Sequence, residues 1–138
     1  MKWENSVTIA APADTVWRLT TDVTNLPSLT PTMQKVERLD DGPLQVGSRT
    51  RIKQPGQSAA VWTVTRIEPG SEFVWETKRL WLRMVGGHRI EDLDGSCRNV
   101  LSLELTGPGS GLLGALIGST VRKAIATENA GFKTAAES

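Results

Sequence analysis

Several residue types that often carry chemistry are scarce or missing in this chain. It has no tyrosine, one cysteine and one histidine among 138 residues. Chemistry that needs a tyrosine acid is therefore excluded. The single cysteine, Cys97, cannot form an internal disulfide and suits a reducing compartment. Because His88 stands alone, with no second histidine and no Cys/His cluster, we predict that the protein has no metal site.

The chain also has no excess of positive or negative charge and no long apolar run. The chain has 16 Lys and Arg against 15 Asp and Glu, without a basic block, so we expect no nucleic-acid partner. The apolar run Leu112–Ile117 is far shorter than the ~20 residues of a membrane span. The first residues, MKWENSV, contain no apolar signal-peptide core. We expect a cytoplasmic protein without stable membrane insertion.

Glycine-rich sequence does occur, but it lacks the chemistry of a phosphate site. The segment GPGSGLLG follows a predicted strand and precedes a predicted helix, yet it has no Lys-Ser/Thr pair. We therefore expect no bound cofactor. The abundant large residue is tryptophan, with five copies against two of phenylalanine. The length suits one domain over residues 1–138.

Alternation of apolar residues and turn signals predicts an α+β chain. A strand over Trp3–Ile9 leads into a helix over Ala13–Thr21, where Pro12 fits the helix start. A short helix follows over Val23–Leu29, interrupted by Pro27. Six further strands are predicted over Gln34–Leu39, Ser48–Gln54, Ala59–Glu68, Glu72–Lys78, Trp81–Leu93 and Arg98–Thr106. A long helix over Leu112–Ala136 ends the chain.

Four segments resemble the START-like (Bet v 1-like, SRPBCC) superfamily, which includes the polyketide cyclase/dehydrase and lipid-transport family. They are VTIAAPADTVW, DVTNLPSLTP, SCRNVLSLELTG and the terminal GLLGALIGSTVRKAIATENAGFKTAAE. In the second, Leu29 stands where many members place a tryptophan. The resemblance implies a helix-grip fold, in which a curved seven-stranded antiparallel sheet wraps around the long C-terminal helix. Two short helices follow the first strand.

Such a fold implies a mostly apolar cavity between the sheet and the long helix, where a small hydrophobic molecule would bind. The predicted lining comes from large apolar side chains and from polar groups at inward strand positions. Trp17 is expected to pack the first helix on the sheet, and Trp3 to cover an edge. The candidate cavity residues are Trp62, Trp75, Trp81, Met84, His88, Asn99, Leu101, Leu103, Leu116 and Thr120.

Two features have alternative interpretations. Arg49, Arg51 and Lys53 form a basic strand face, which is either a solvated outer surface or an anion-binding mouth. Gly114 and Gly118 lie four residues apart near the start of the long helix. They either loosen the helix, so that this end frays and gates the cavity, or allow the sheet or a second chain to approach closely. A homodimer is therefore considered.

Two functions from different classes follow. The first is a carrier or sensor that binds a small hydrophobic molecule such as a lipid, polyketide or isoprenoid. The second is a polyketide cyclase/aromatase or dehydratase that acts in the same cavity. Catalysis would have to use His88, Asn99 and an inward-facing arginine. His88 is the candidate acid or base, because a histidine titrates near neutral pH; the alternative is a histidine that only packs.

Overall fold

A computed structural model describes all residues from 1 to 138. The first strand leads into two short helices, six strands follow, and a long helix ends the chain. The strands are β1 (Lys2–Ile9), β2 (Lys35–Arg38), β3 (Arg49–Lys53), β4 (Ala60–Glu68), β5 (Glu72–Arg79), β6 (Leu82–Asp92) and β7 (Cys97–Thr106). The helices are α1 (Ala13–Thr21), α2 (Leu26–Leu29) and α3 (Ser110–Glu137), with a 3₁₀ turn at Val23–Asn25.

The seven strands form one antiparallel sheet in the order β1-β7-β6-β5-β4-β3-β2. Consecutive strands pair through hairpins from β2 to β7, and β1 returns to pair with β7. β1 and β2 are therefore the two edges. A bulge between Val64 and Arg66 shifts the pairing of β4 with β5. The sheet curves around α3, which confirms the predicted helix-grip fold.

The junction of β1 and α1 forms as the sequence predicts. Pro12 is the N-cap residue of α1, with φ −62° and ψ 150°, and its carbonyl accepts a hydrogen bond from the Thr15 amide. Proline suits this position because its missing N–H would have had no helical partner. Trp17 packs edge-to-face on Phe73 of β5, with 6.5 Å between ring centroids. The first helix is thereby fixed on the sheet.

α3 lies across β1 and β7 and begins where the chain leaves the sheet. Gly109 precedes it with φ 79°, a conformation that glycine adopts without strain. A Cβ at Gly114 would lie 3.3 Å from Trp3 Cη2, and a Cβ at Gly118 would lie 3.3 Å from Trp3 Nε1. The two glycines therefore allow the sheet to approach, one of the two interpretations above. Both are buried within the chain, so they offer no surface to a second copy.

The predicted elements are all present, with small shifts at their ends. The helix predicted over Val23–Leu29 is divided into a 3₁₀ turn and a four-residue α2, because Pro27 lies at its start. The strand predicted from Trp81 begins at Leu82, since Arg79 pairs with Leu82 and leaves Leu80 and Trp81 as the turn. None of the helices is both long and apolar enough to cross a membrane.

Candidate functional site

The inner face of the sheet is the face that carries the buried residues and is turned toward α3. Strand pairing places Phe73, His88 and Leu101 side by side on it, and Trp75 next to Gly86. Alternation along each strand extends the face from β7 to β2. Its members include Val36, Arg38, Thr50, Ile52, Trp62, Val64, Phe73, Trp75, Thr77, Met84, Gly86, His88, Ile90, Asn99, Leu101, Leu103 and Leu105.

Aromatic rings form the centre of the inner face. We call Trp62, Phe73, Trp75, His88 and Phe132 the aromatic cluster. The Trp62 and Trp75 centroids are 5.9 Å apart, and Phe73 meets Trp75 edge-to-face at 5.1 Å. Phe132, from α3, meets His88 edge-to-face at 6.3 Å. Sheet and helix therefore share one aromatic contact region.

Gly86 makes room for the two tryptophans of this cluster. A Cβ at Gly86 would lie 3.0 Å from Trp75 Nε1 and 3.6 Å from Trp62 Cζ3. Any larger residue would force the Trp75 ring to move by a few tenths of an ångström, because the contact with Trp75 is closer than an ordinary van der Waals distance. The glycine thus allows the Trp75 indole to pack closely on β6.

His88 lies inside the aromatic cluster and is 5% exposed. Its ring stacks on Phe73 with 4.4 Å between centroids and 12° between planes. Its Nδ1 atom is buried without a hydrogen-bond partner in the protein. Burial lowers the pKa of His88 to about 4, because the charged imidazolium loses its hydration there. The side chain is therefore neutral at physiological pH.

Glu128 is the second buried titratable group, on the stripe of α3 that also contains Val121 and Ala124. The helix and sheet bury its side chain, and burial raises the pKa of Glu128 to about 7. Glu128 therefore holds its proton to a much higher pH than an exposed glutamate does. A carboxyl group with this pKa can both donate and accept a proton.

Three asparagines connect α3 to the sheet in the interior. Asn129 Nδ2 donates to Asn5 Oδ1 at 2.9 Å and to the Asn99 carbonyl at 3.0 Å, and Asn99 Nδ2 donates to Asn129 Oδ1 at 2.9 Å. Asn99 and Asn129 are completely buried. Asn99, expected to face a ligand, is thus engaged in fixing the helix. Only its Oδ1 atom lacks a partner.

A group of buried polar atoms has no partner in the protein. Native interiors leave few such atoms, because an unsatisfied buried donor or acceptor costs about 1–3 kcal/mol. Five of the six residues concerned lie on the inner face, from β2 to β7. The atoms on these five residues are Arg38 Nε and Nη2, Thr50 Oγ1, Trp62 Nε1, His88 Nδ1 and Asn99 Oδ1; the other atom is Thr20 Oγ1.

A cleft of about 410 Å³ opens at the end of β4 and β5. The paired residues of these strands stop at Thr63 and Glu76, although both strands continue beyond that point. Thr77 and Arg79, on the inner face, line the cleft. Arg79 Nη2 bridges the gap by donating to the Ser58 carbonyl at 2.8 Å. A second cleft of about 140 Å³ lies on the opposite, outer face around Gly87 and Ser102.

Seven of the ten predicted cavity residues lie on the inner face. They are Trp62, Trp75, Met84, His88, Asn99, Leu101 and Leu103. The other three are not there. Trp81 is 64% exposed in the turn between β5 and β6, and Leu116 is 73% exposed. Thr120, four residues beyond Leu116, is also exposed, because Gly114 and Gly118 occupy the side of α3 that meets the sheet.

The basic residues of β3 point away from the interior. Arg49 pairs with Asp40 at 3.2 Å, and Arg51 pairs with Glu37 at 2.8 Å. The Arg49 amide and side chain together hold the pKa of Asp40 below its usual range. Lys53 donates to the Gln54 carbonyl at 2.8 Å. The three residues form a solvated outer face, the first of the two interpretations above.

Sequence reasoning missed Arg38, Thr50 and Glu128 as candidates. The signal for Glu128 was available, since it is the one acidic residue on an otherwise apolar helical stripe. Arg38 and Thr50 gave no such signal. Their strands are so short that the sequence does not show which alternate residues point to the interior. The structure contains no group of three or more His, Cys, Asp or Glu side chains that could hold a metal ion. The absence of a metal or cofactor stays a prediction.

Comparison with solved structures finds the same fold in several proteins. Zhui aromatase/cyclase from Streptomyces sp. R1128 has a TM-score of 0.80 and 23% identity over 99% of this chain and 93% of its own. A START superfamily protein from Mycobacterium smegmatis has a TM-score of 0.74 and 18% identity over 96% and 97%. Norcoclaurine synthase from Thalictrum flavum has a TM-score of 0.67 and 18% identity over 93% and 84%.

Comparison with curated proteins finds no significant match. At the identities above, the similarity to solved structures shows the fold and not the activity. The family model described as polyketide cyclase / dehydrase and lipid transport matches residues 1–137. Because this match covers essentially the whole chain, the protein belongs to the polyketide cyclase/dehydrase and lipid-transport family.

Proposed function

We propose that the protein binds a small, mainly hydrophobic molecule between the inner face and α3, as a carrier or sensor. The observation that supports this most is the presence of polar atoms without protein partners inside an aromatic interior. Trp62 Nε1 and His88 Nδ1 both lie there. Ligand sites typically combine apolar walls with a few fixed polar groups. A lipid, polyketide or isoprenoid with one or two oxygens fits that combination.

The cleft beside Thr77 offers a route for such a molecule. It opens between the diverging ends of β4 and β5, where inner-face residues reach the surface. Arg79 and Ser58 are the groups that a molecule would have to move aside on entry. Both line the cleft, and their hydrogen bonds join the Arg79 side chain to a residue outside the strands, so breaking them would leave the sheet pairing intact.

A neutral fluorescent probe, N-phenyl-1-naphthylamine, tests the proposal. We expect its emission to rise on addition of the protein, and Leu103→Trp to weaken this binding about tenfold or more by filling the inner face. Leu93→Trp is the matched control, because Leu93 is exposed in the turn after β6. Equal binding by the two variants, or no binding to the wild-type protein, would refute an interior site. Native mass spectrometry against fatty acids, quinones and aromatic polyketides would then identify the class.

A cyclase/aromatase or dehydratase activity is the second candidate, and Glu128 is the observation in its favour. A buried carboxyl with a pKa of about 7 is suited to proton transfer near neutral pH. His88, with a pKa of about 4, is a weaker base than the sequence suggested. Turnover of a poly-β-ketone mimic that is lost in Glu128→Gln would favour the enzyme. Turnover lost in His88→Ala and kept in Glu128→Gln would favour His88 instead.

Location and assembly remain predictions from the sequence. The cytoplasm is the proposed compartment, on the basis of the single, unpaired Cys97. A homodimer would have to use a surface other than Gly114 and Gly118. Size-exclusion chromatography with light scattering measures the mass of the particle directly.

A further inference from the structure

Three of the polar side chains without complete partners are direct neighbours. Arg38 on β2 pairs with Thr50 on β3, and Thr50 pairs with Trp62 on β4. All three lie on the inner face, and directly paired residues have Cβ atoms about 4.5–5.5 Å apart. Thr50 is 0% exposed and Trp62 is 6% exposed. We call these three residues the donor cluster.

One edge of the Arg38 guanidinium group has no hydrogen-bond partner in the protein. Its Nη1 atom donates to the Gly42 carbonyl at 2.5 Å, which fixes the guanidinium group. Its Nε and Nη2 atoms are buried and have no partner in the protein. Nε–H and Nη2–H point in parallel from one side of the guanidinium group. Two parallel N–H groups are the arrangement that binds both oxygens of a carboxylate.

Neither of the acidic side chains next to Arg38 along the chain binds that edge. Asp40, whose charge lies near Arg38, binds the Arg49 amide at 2.6 Å and the Arg49 guanidinium at 3.2 Å. Glu37 points to the outer face, where it binds Arg51. Buried N–H donors without an acceptor are unfavourable, so the Nε and Nη2 atoms of Arg38 suit a negatively charged partner from outside the chain.

The other two members are also suited to an oxygen acceptor. The indole N–H of Trp62 can only donate, and the hydroxyl of Thr50 can donate or accept. Neither has a partner in the protein. Four hydrogen-bond donor atoms without protein partners thus lie on three neighbouring residues at one end of the inner face, and one of the three residues carries a positive charge. The aromatic cluster continues from Trp62 to Trp75 at 5.9 Å and on to His88.

We infer that the donor cluster Arg38–Thr50–Trp62 binds the carboxylate of an amphiphilic acid whose apolar part lies along the aromatic cluster. This inference rests on the proposed interior binding and narrows it to acids. A fatty acid or an apolar aromatic acid has the required combination of one anionic end and one apolar body. A neutral lipid of the same shape would leave the guanidinium edge unpaired.

Competition with N-phenyl-1-naphthylamine near neutral pH tests the inference. Dodecanoic acid and dodecan-1-ol share a chain length and differ in charge at one end. We expect the acid to displace the probe at a concentration lower than the alcohol by about tenfold or more. In Arg38→Met the affinity for the acid should fall on the order of 10- to 100-fold, with the alcohol unchanged.

Arg51→Met is the matched control for this variant. Arg51 is also an arginine at that edge of the sheet and its loss changes the net charge equally, but its side chain is on the outer face. We expect no change in affinity for the acid. Trp62→Phe keeps an aromatic ring and removes the N–H. Like Arg38→Met, it should lower the affinity for the acid and leave the affinity for the alcohol unchanged.

Two results would overturn the inference in different ways. If acid and alcohol displace the probe equally well from the wild-type protein, the carboxylate site is wrong and interior binding stands. If neither the probe nor either competitor binds, the proposed function is wrong as well. The wild-type comparison does not depend on the folding of any variant. Loss of acid affinity in Arg51→Met as large as in Arg38→Met would show a general charge effect and refute the site.

Discussion

At the scale of single residues, the interior holds two groups whose pKa values move in opposite directions. Burial lowers the pKa of His88 to about 4 and raises that of Glu128 to about 7. Burial favours the neutral form of both groups, because the interior penalises either charge. The histidine destabilises the fold when pH falls from its unfolded pKa of 6.5 toward 4. The glutamate destabilises it when pH rises from its unfolded pKa of 4.5 toward 7.

These two effects should cancel between pH 4.5 and 6.5 in the wild-type protein. In that range unfolding adds a proton to His88 and removes one from Glu128, so the net proton uptake from the pair is zero. In Glu128→Gln only the histidine remains, and the free energy of unfolding should fall by about 2–3 kcal/mol as pH drops through the range. Urea unfolding at several pH values measures this.

His88→Gln is the complementary variant, and its slope should have the opposite sign. Its free energy of unfolding should fall by a similar amount as pH rises from 4.5 toward 7, since Glu128 alone then titrates. The readout is the slope, so a constant loss of stability from either substitution does not matter. Curves for both variants that run parallel to the wild-type curve would contradict the assignment.

At the scale of elements, glycines decide how closely α3 approaches its neighbours. Gly131 is the tightest case. A Cβ there would lie 2.1 Å from the Leu29 carbonyl oxygen and 3.0 Å from the Leu29 carbonyl carbon, both of which are backbone atoms of α2. A Cβ at Gly111, in the same helix, would meet no other group within 4 Å. The same substitution should therefore act in opposite directions at the two sites.

Gly131→Ala should destabilise the protein by about 1–3 kcal/mol, because backbone has to move to admit the methyl group. Gly111→Ala should stabilise it by up to about 1 kcal/mol through helix propensity. Urea or thermal unfolding of the two variants beside the wild-type protein checks both signs. A stabilised Gly131→Ala would mean that α2 moves away from α3 at little cost.

The elements also show what the sequence could and could not reveal. The β1–α1 junction was predictable because Pro12 and the helical spacing of Val16 are local signals. The position of Trp81 was not predictable from the sequence. A difference of one residue in the start of β6 decides whether Trp81 belongs to the strand or to the turn before it. Leu116 was misplaced because apolarity alone cannot show that Gly114 and Gly118, beside Trp3, are the contact side of α3. The inward position of Arg38 could be assigned only from the pairing of β2, a strand of four residues, with β3.

At the scale of the whole molecule, α3 is attached unevenly. Its polar attachments to the rest of the chain come from Asn129, Lys133 and Glu137. Its first half packs through apolar contacts around Trp3 and Leu105 and leaves Leu112 and Leu116 exposed. Local opening is easiest where contacts are few. We therefore expect the first half of α3 to open more readily than the second; the gate at this end stays a prediction.

Amide hydrogen exchange should show this difference directly. We expect the amides of residues 112–118 to exchange at least about tenfold faster than those of residues 125–132, because opening the first half breaks no polar attachment. An interior ligand should slow exchange in the first half. Slow exchange throughout residues 112–118 in the free protein would refute a gate at this end.

The row of side chains at the end of α3 has one more consequence. Asn129 donates to the Asn5 carbonyl at 3.2 Å, Lys133 donates to the Thr8 carbonyl at 2.9 Å, and Glu137 accepts from the Ala10 amide at 2.8 Å. The Thr8 carbonyl and the Ala10 amide lie on the free side of β1 and its extension, whereas the odd residues of β1 direct their backbone groups to β7. Unpaired edge backbone is a template for strand addition between molecules. By occupying these two groups, the last turn of α3 blocks strand addition at the C-terminal end of β1.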